Sequence, residues 1–195
     1  MSAVTDGDWR SRRWEATHRR IYETAMRLFQ EHGFDNVSVG QVAAAAGVSA
    51  PTFYSHFPSK DHIVMQLPTA EQMTALLAGQ PTELPVVDRL RRAIARYLAS
   101  GGPEERADVL ARWKIIASTP ALRVRAATFE RTTAGLMADA LLAGNEQVIL
   151  TPAEAVVVDA HLAAYTYSLL AWADRDGERR LEDVVDEAFE ALGHG

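Results

Sequence analysis

A chain of 195 residues, 48% apolar and 24% charged, has room for one sizeable core or two small helical domains, and its composition is neither disordered nor fibrous. It has no cysteine, which excludes a disulfide framework, a thiolate nucleophile and a cysteine metal site. The net charge of −6 conceals an asymmetry, because seven Arg/Lys meet four Asp/Glu from Trp9 to Lys60 while thirteen meet nineteen from Gln66 onward, so a basic footprint at the front stays open to phosphates.

Met1 to Asp8 is polar and acidic, without the apolar run of a secretory signal, and no stretch reaches the length of a membrane span, so a cytoplasmic protein with no membrane partner is expected. Ile21, Ala25, Leu28 and Phe29 fall on one face of a helix from about Trp14 to His32, stopped by Gly33. Ser38 and Gln41 have capping-box spacing and open a short helix to Ala46, which Gly47 ends. Ser49 caps a second short helix, with Pro51 in its first turn, running to about His56. Beyond Pro58, Ser59 can cap a longer helix to Gly79, kinked or restarted at Pro68, the first candidate domain boundary and a candidate hinge.

The loop Gly79–Pro85 precedes a helix marked by Leu90, Ile94, Tyr97 and Leu98, and another spans Glu104 to Ser118. Pro120 starts a long helix expected to stop near Gly144; Pro152 starts a second, to about Arg175; the last covers about Glu178 to Leu192. No strand, repeat or low-complexity tract interrupts this pattern. The expected fold is all-α with about nine helices, an N-terminal three-helix helix-turn-helix domain over 10–66 and a C-terminal helical bundle over 67–193.

Function is most legible in Ser38–Lys60, SVGQVAAAAGVSAPTFYSHFPSK. Two short helices joined at Gly47-Val48 have the dimensions of a helix-turn-helix. The alanines at 43 to 46 permit close approach, and Val42, Val48 and Phe53 are expected to pack on Leu28 and Phe29. The opposite side then presents Ala50, Pro51, Thr52, Tyr54, Ser55 and His56: hydroxyls to donate, small apolar groups for thymine methyls, and an imidazole for a phosphate.

On these residues the chain resembles the TetR family of transcriptional regulators. The matching runs are Leu28–Phe34 (LFQEHGF), Ser38–Ala43 (SVGQVA), Ala46–Ser49 (AGVS), Thr52–Phe57 (TFYSHF) and Ser59-Lys60, about a quarter of the chain. The resemblance implies that Ala50, Pro51 and Thr52, capped by Ser49, enter the major groove of a double-stranded operator, and that Ser38, Tyr54, His56 and Lys60 contact its backbone. Members of the family often carry a long polar side chain where Gly40 stands here, which leaves Gln41 as the nearest side chain on the first short helix able to assist. The segment Arg10–Arg20 is either a solvated face or a further DNA contact.

The same resemblance implies a ligand cavity in the C-terminal bundle, with Met73, Leu77, Tyr97, Trp113, Phe129, Met137 and Tyr165 as candidate lining, although bulky residues on inward stripes are more often plain core. It implies a homodimer through 152–175 and 178–192, whose apolar breadth exceeds what one helix pair buries. A two-fold dimer requires a pseudo-palindromic operator with half-sites roughly 34 to 36 Å apart or more. The stretch Ile115–Arg125 more weakly resembles actinobacterial regulators of acyl-CoA-like or mycofactocin type. Arg112, Lys114, Arg123 and Arg125 accordingly stand either for a CoA phosphate or for a solvated helix face.

No cofactor, metal or catalytic residue is expected. There is no Walker loop, dinucleotide glycine fingerprint, G-x-S-x-G elbow or H-E-x-x-H, and Asp159 with His161 is an isolated polar pair. The expectation is a ligand-responsive regulator, commonly a repressor in that family, released from DNA by a small, largely hydrophobic effector. The alternative is a helical small-molecule binder or enzyme without DNA binding.

Overall fold

The computed structural model describes residues 6–142 and 150–193. Ten α-helices and no strand occur among them, and the chain divides between Gln66 and Leu67 into two compact units. The expected stop near Gly144 lies outside the described residues.

In the first unit α1 (Asp6–His32), α2 (Val39–Ala45), α3 (Ala50–His56) and the single turn α4 (Asp61–Val64) enclose Ile21, Ala25, Phe29, Val42, Phe53 and Ile63. The apolar spacing along α1 explains its buried stripe, and the Gly33 N–H closes on the Phe29 carbonyl at 2.9 Å after its last turn. Helix α1 begins well before the expected Trp14. At the start of α2 the capping box is complete: the Gln41 N–H donates to Ser38 Oγ at 3.2 Å, and the Ser38 N–H donates to Gln41 Oε1 at 2.8 Å.

Gly47 has φ +64°, a left-handed conformation that lets the chain leave α2 and enter α3 within a few residues. Ser49 caps α3 by accepting the Thr52 N–H at 3.1 Å. Of the four alanines at 43 to 46, Ala43 and Ala46 are buried and the other two are exposed, so only one side of α2 makes the close approach. Leu28 and Val48, expected in the core, are half-buried.

Of the kink or restart expected at Pro68, the structure has the restart: the stretch from Ser59 to Gly79 holds two helices, α4 and α5 (Ala70–Leu77), separated by Met65–Thr69. Pro68 offers no N–H and disfavours helical backbone at Leu67, and a stronger start follows it. Thr69 and Gln72 form a second capping box, with the Thr69 N–H on Gln72 Oε1 at 2.8 Å and the Gln72 N–H on Thr69 Oγ1 at 3.1 Å. Ser59 does not cap α4; its hydroxyl meets His62 Nδ1 at 2.9 Å.

The second unit comprises α5, α6 (Val86–Ser100), α7 (Pro103–Ser118), α8 (Pro120–Leu142), α9 (Pro152–Asp174) and α10 (Leu181–Gly193). Proline opens three of them, where its missing N–H costs nothing, and a Thr151–Glu154 capping box precedes α9. Leu90, Met137, Val158, Leu162, Val185 and Phe189 form the centre of one apolar core. The turn into α10 is held by Trp172 Nε1, which donates to the Arg179 carbonyl at 2.9 Å. At its tip Gly177 has φ +71°, and a Cβ there meets Leu110 at 2.8 Å.

Candidate functional site

Helix α3 turns one side inward and one outward. Phe53 is fully buried, with Phe57 buried after it, whereas Ser49, Ala50, Pro51, Tyr54 and Ser55 are exposed and Thr52 is half-buried. Tyr54 leaves 54% of its surface to solvent while its ring edge rests on Phe53 at 5.5 Å. Ser49 Oγ and Thr52 Oγ1 share a 2.8 Å hydrogen bond, which fixes the first turn of the outward side.

Ser38 and Gln41 lie exposed at the start of α2. Gln41 Oε1 accepts both the Ser38 N–H and its hydroxyl at 2.8 and 2.9 Å, so the amide nitrogen of Gln41 is the part left to reach outward. Lys60 Nζ donates to the carbonyls of Phe34 and Val37 at 2.8 and 3.1 Å and sits 4.2 Å from the Phe34 ring centroid. An ammonium has three N–H groups, and these two bonds leave one. Partial burial lowers the Lys60 pKa, opposed by the charge of Asp35.

His56 belongs to an aromatic stack that sequence reasoning missed. Trp14 lies 4.8 Å from both His18 and His56, His18 lies 5.6 Å from His56, and Phe57 stacks on His18 at 4.2 Å. Both imidazole Nδ1 atoms are buried without a hydrogen bond. Burial lowers both histidine pKa values, and proximity to His56 lowers His18 further. The signal was present in the spacing, since positions 14 and 18 extend the stripe of Ile21 and Ala25 by two turns.

In the second unit Met73, Leu77 and Met137 belong to the buried core, and Trp113 and Tyr165 pack against it half-buried. Phe129 is half-buried on α8, and Tyr97 on α6 is 47% exposed. Burial raises the Tyr165 pKa, Tyr97 adds to the rise and Arg112 opposes it, which keeps the Tyr165 phenol neutral. A separate cleft of about 280 Å³ between α6 and α10, with Ile94, Leu98, Val185 and Phe189 along it and Arg91 and Arg92 at its rim, contains none of the expected lining residues.

The basic residues near 112–125 are engaged within the fold. Arg112 Nε pairs with Asp108 at 3.0 Å, Lys114 with Asp176, and Arg123 bonds both carboxylate oxygens of Asp174 at 3.3 Å as well as the Ala117 carbonyl at 2.9 Å. On the outer side of α9, Val156 and Tyr167 are 66% and 72% exposed, and Ala160 and Ala163 lie between them on the same stripe. Val184, Ala188 and Leu192 continue an apolar stripe on α10. No group of three or more metal-ligating side chains occurs among the described residues, and none of their helices is long and apolar enough to cross a membrane.

Residues 21–67 match the family of bacterial regulatory proteins, tetR family, and residues 84–195 match the MftR C-terminal domain. The mycofactocin biosynthesis transcriptional regulator MftR of Mycobacterium tuberculosis is 26% identical over 190 residues, 94% of this chain and 93% of that protein. The regulator EthR of Mycolicibacterium smegmatis is 45% identical over 47 residues, 24% of this chain and 22% of EthR. Among solved structures, Thermus thermophilus FadR, a TetR-family transcriptional repressor in complex with lauroyl-CoA, superposes with TM-score 0.53 at 26% identity, covering 90% of this chain and 92% of that one. NalD of Pseudomonas aeruginosa shares the fold, with TM-score 0.58 at 24% identity over 93% and 97% of the two chains. The second match alone spans more than half of the chain, and with the helix-turn-helix match ahead of it the protein belongs to the TetR family of transcriptional regulators, with a C-terminal domain of the MftR type.

Proposed function

We propose that this protein is a ligand-released repressor that binds a pseudo-palindromic operator as a homodimer. Residues 10–66 carry DNA binding, and residues 67–193 carry effector binding and dimerisation. The observation that supports this best is the two-sidedness of α3, in which Phe53 is fully buried and Ala50, Pro51 and Tyr54 stand exposed. Ala50, Pro51 and Thr52 enter the major groove, and Ser38, Ser49, Tyr54, His56 and the third N–H of Lys60 meet phosphates. Gly40 presents no side chain, so the α2 contribution falls to the Gln41 amide nitrogen and to DNA shape.

The apolar stripes on α9 and α10, with Tyr167 most exposed, pair with their copies across a two-fold axis. The effector is small and largely hydrophobic, an acyl-CoA-like molecule being the first to try because FadR was solved with lauroyl-CoA. Trp113, Phe129 and Tyr165, with Tyr97 and the buried Met73, Leu77 and Met137, are its proposed contacts, and Tyr165 supplies a neutral hydroxyl. An effector that favours dimers whose two α3 helices are wrongly spaced lowers operator affinity, and DNA lowers effector affinity by the same factor.

The test is selection of binding sites from a random duplex library by the purified protein, followed by titration of the winner with lauroyl-CoA. Enrichment of a palindrome bound by a dimer, and its release by the acyl-CoA, is expected. If no sequence is enriched and no binding occurs at low salt, the protein works as a small-molecule binder without DNA.

A further inference from the structure

The tetR-family match begins at residue 21, but α1 begins at Asp6, so a stretch of helix precedes the matched region. From Trp9 to Arg20 it carries five arginines against one glutamate. Glu15 is held by the Ser11 hydroxyl at 3.1 Å. Trp9 and Trp14 leave 55% and 50% of their surfaces in solvent, and the Arg13 guanidinium lies 5.4 Å from the Trp9 ring centroid. A purely solvated helix has no use for two half-exposed indoles among arginines, whereas that pairing suits a surface that meets phosphates.

The stretch is also fixed in place. Trp14 and His18 stack on His56, the last residue of α3, so the front of α1 is packed against the C-terminal end of the helix proposed to read DNA. Arg10, one turn before Trp14, shares the Trp14 side of α1, whereas Arg12 and Arg19 fall together on another side. The side of α1 that meets the end of α3 thereby carries Arg10 one turn further on.

We propose that the front of α1, from Trp9 to Arg20, is a second DNA-contacting surface that grips phosphates of the duplex flanking each half-site, with Arg10 and Arg13 foremost. This rests on the operator-binding reading above. Flank contacts add affinity without adding base readout, and each phosphate they neutralise steepens the salt dependence by about 0.9 in the log–log slope.

The experiment compares two duplexes carrying the selected palindrome, one trimmed to its ends and one extended by about ten base pairs, a helical turn, on each side. Wild-type protein is expected to bind the extended duplex about tenfold more tightly, with a steeper salt slope. Arg10→Gln/Arg13→Gln, which keeps helix propensity nearly constant, abolishes that preference and leaves affinity for the trimmed palindrome within a few-fold of wild type at moderate salt. Arg12→Gln/Arg19→Gln removes equal charge from another side and retains the preference. Circular dichroism confirms that both variants fold. Equal affinity of wild-type protein for the two duplexes overturns the proposal, as does an equal loss in both variants, which signifies a diffuse field instead of a contact. In either case specific binding to the trimmed palindrome still stands, and only the absence of that binding removes the operator reading itself.

Discussion

Lys60 joins two tasks in one ammonium group. Its bonds to the Phe34 and Val37 carbonyls hold the loop that ends at Ser38, the cap of α2, so removing it disturbs the loop as well as any phosphate contact. Lys60→Ala is expected to lower stability by about 1 to 3 kcal/mol, the range for charge-assisted hydrogen bonds, and to reduce the salt slope of operator binding by about one per protomer. Thermal unfolding and a salt titration separate the two effects. An unchanged slope with lowered stability assigns Lys60 to the loop alone. Gly177 is a purely structural case: its positive φ and the 2.8 Å approach of Leu110 to a Cβ predict that Gly177→Ala costs about 1 to 2 kcal/mol in unfolding experiments.

At the scale of elements, α1 and α3 are joined by a stack that is sensitive to acid. His18 and His56 both have folded-state pKa values below the usual 6.5, chiefly from burial, so the folded chain binds fewer protons than the unfolded one. Their contribution to stability is complete above about pH 6.5 and is lost as pH falls below it. The melting temperature is expected to decline from about pH 7 to pH 5, and His18→Leu, which keeps an apolar group against Phe57 and removes one titrating ring, should flatten part of that decline. Sequence made the caps and turns legible here, because Ser38-Gln41, Gly47 and Ser49 act through contacts within a few residues. It hid the stack, since nothing local states that residues 14 and 56 meet. The break at Pro68 was legible too, as a kink or a restart; that it is a restart is decided by the Thr69–Gln72 box just beyond the proline.

For the whole molecule, the stripes on α9 and α10 decide assembly. Tyr167→Asp sets two charges near each other across the proposed two-fold and is expected to weaken the dimer by about 2 to 4 kcal/mol, seen as monomer in sedimentation at micromolar concentration and as lost operator binding. A dimer that survives the substitution places the interface elsewhere. The all-helical architecture was legible from periodicity, whereas pocket lining and plain core look alike in it. Met73, Leu77 and Met137 share inward stripes with the core that buries them. Spacing along one helix cannot tell a residue beside a void from one beside another side chain, and the cleft at Arg91 and Phe189 depends on how α6 meets α10.

The stack at the end of α3 has an optical consequence. The chain has four tryptophans, of which Trp9 and Trp14 lie in the first unit and Trp113 and Trp172 in the second. The Trp14 indole faces two imidazoles at 4.8 Å, and a protonated imidazole is a contact quencher of indole emission. Its fluorescence therefore carries information about the last turn of α3 without any attached dye. With Trp9, Trp113 and Trp172 replaced by phenylalanine, the remaining emission reports the charge state of that corner and the arrival of DNA beside it.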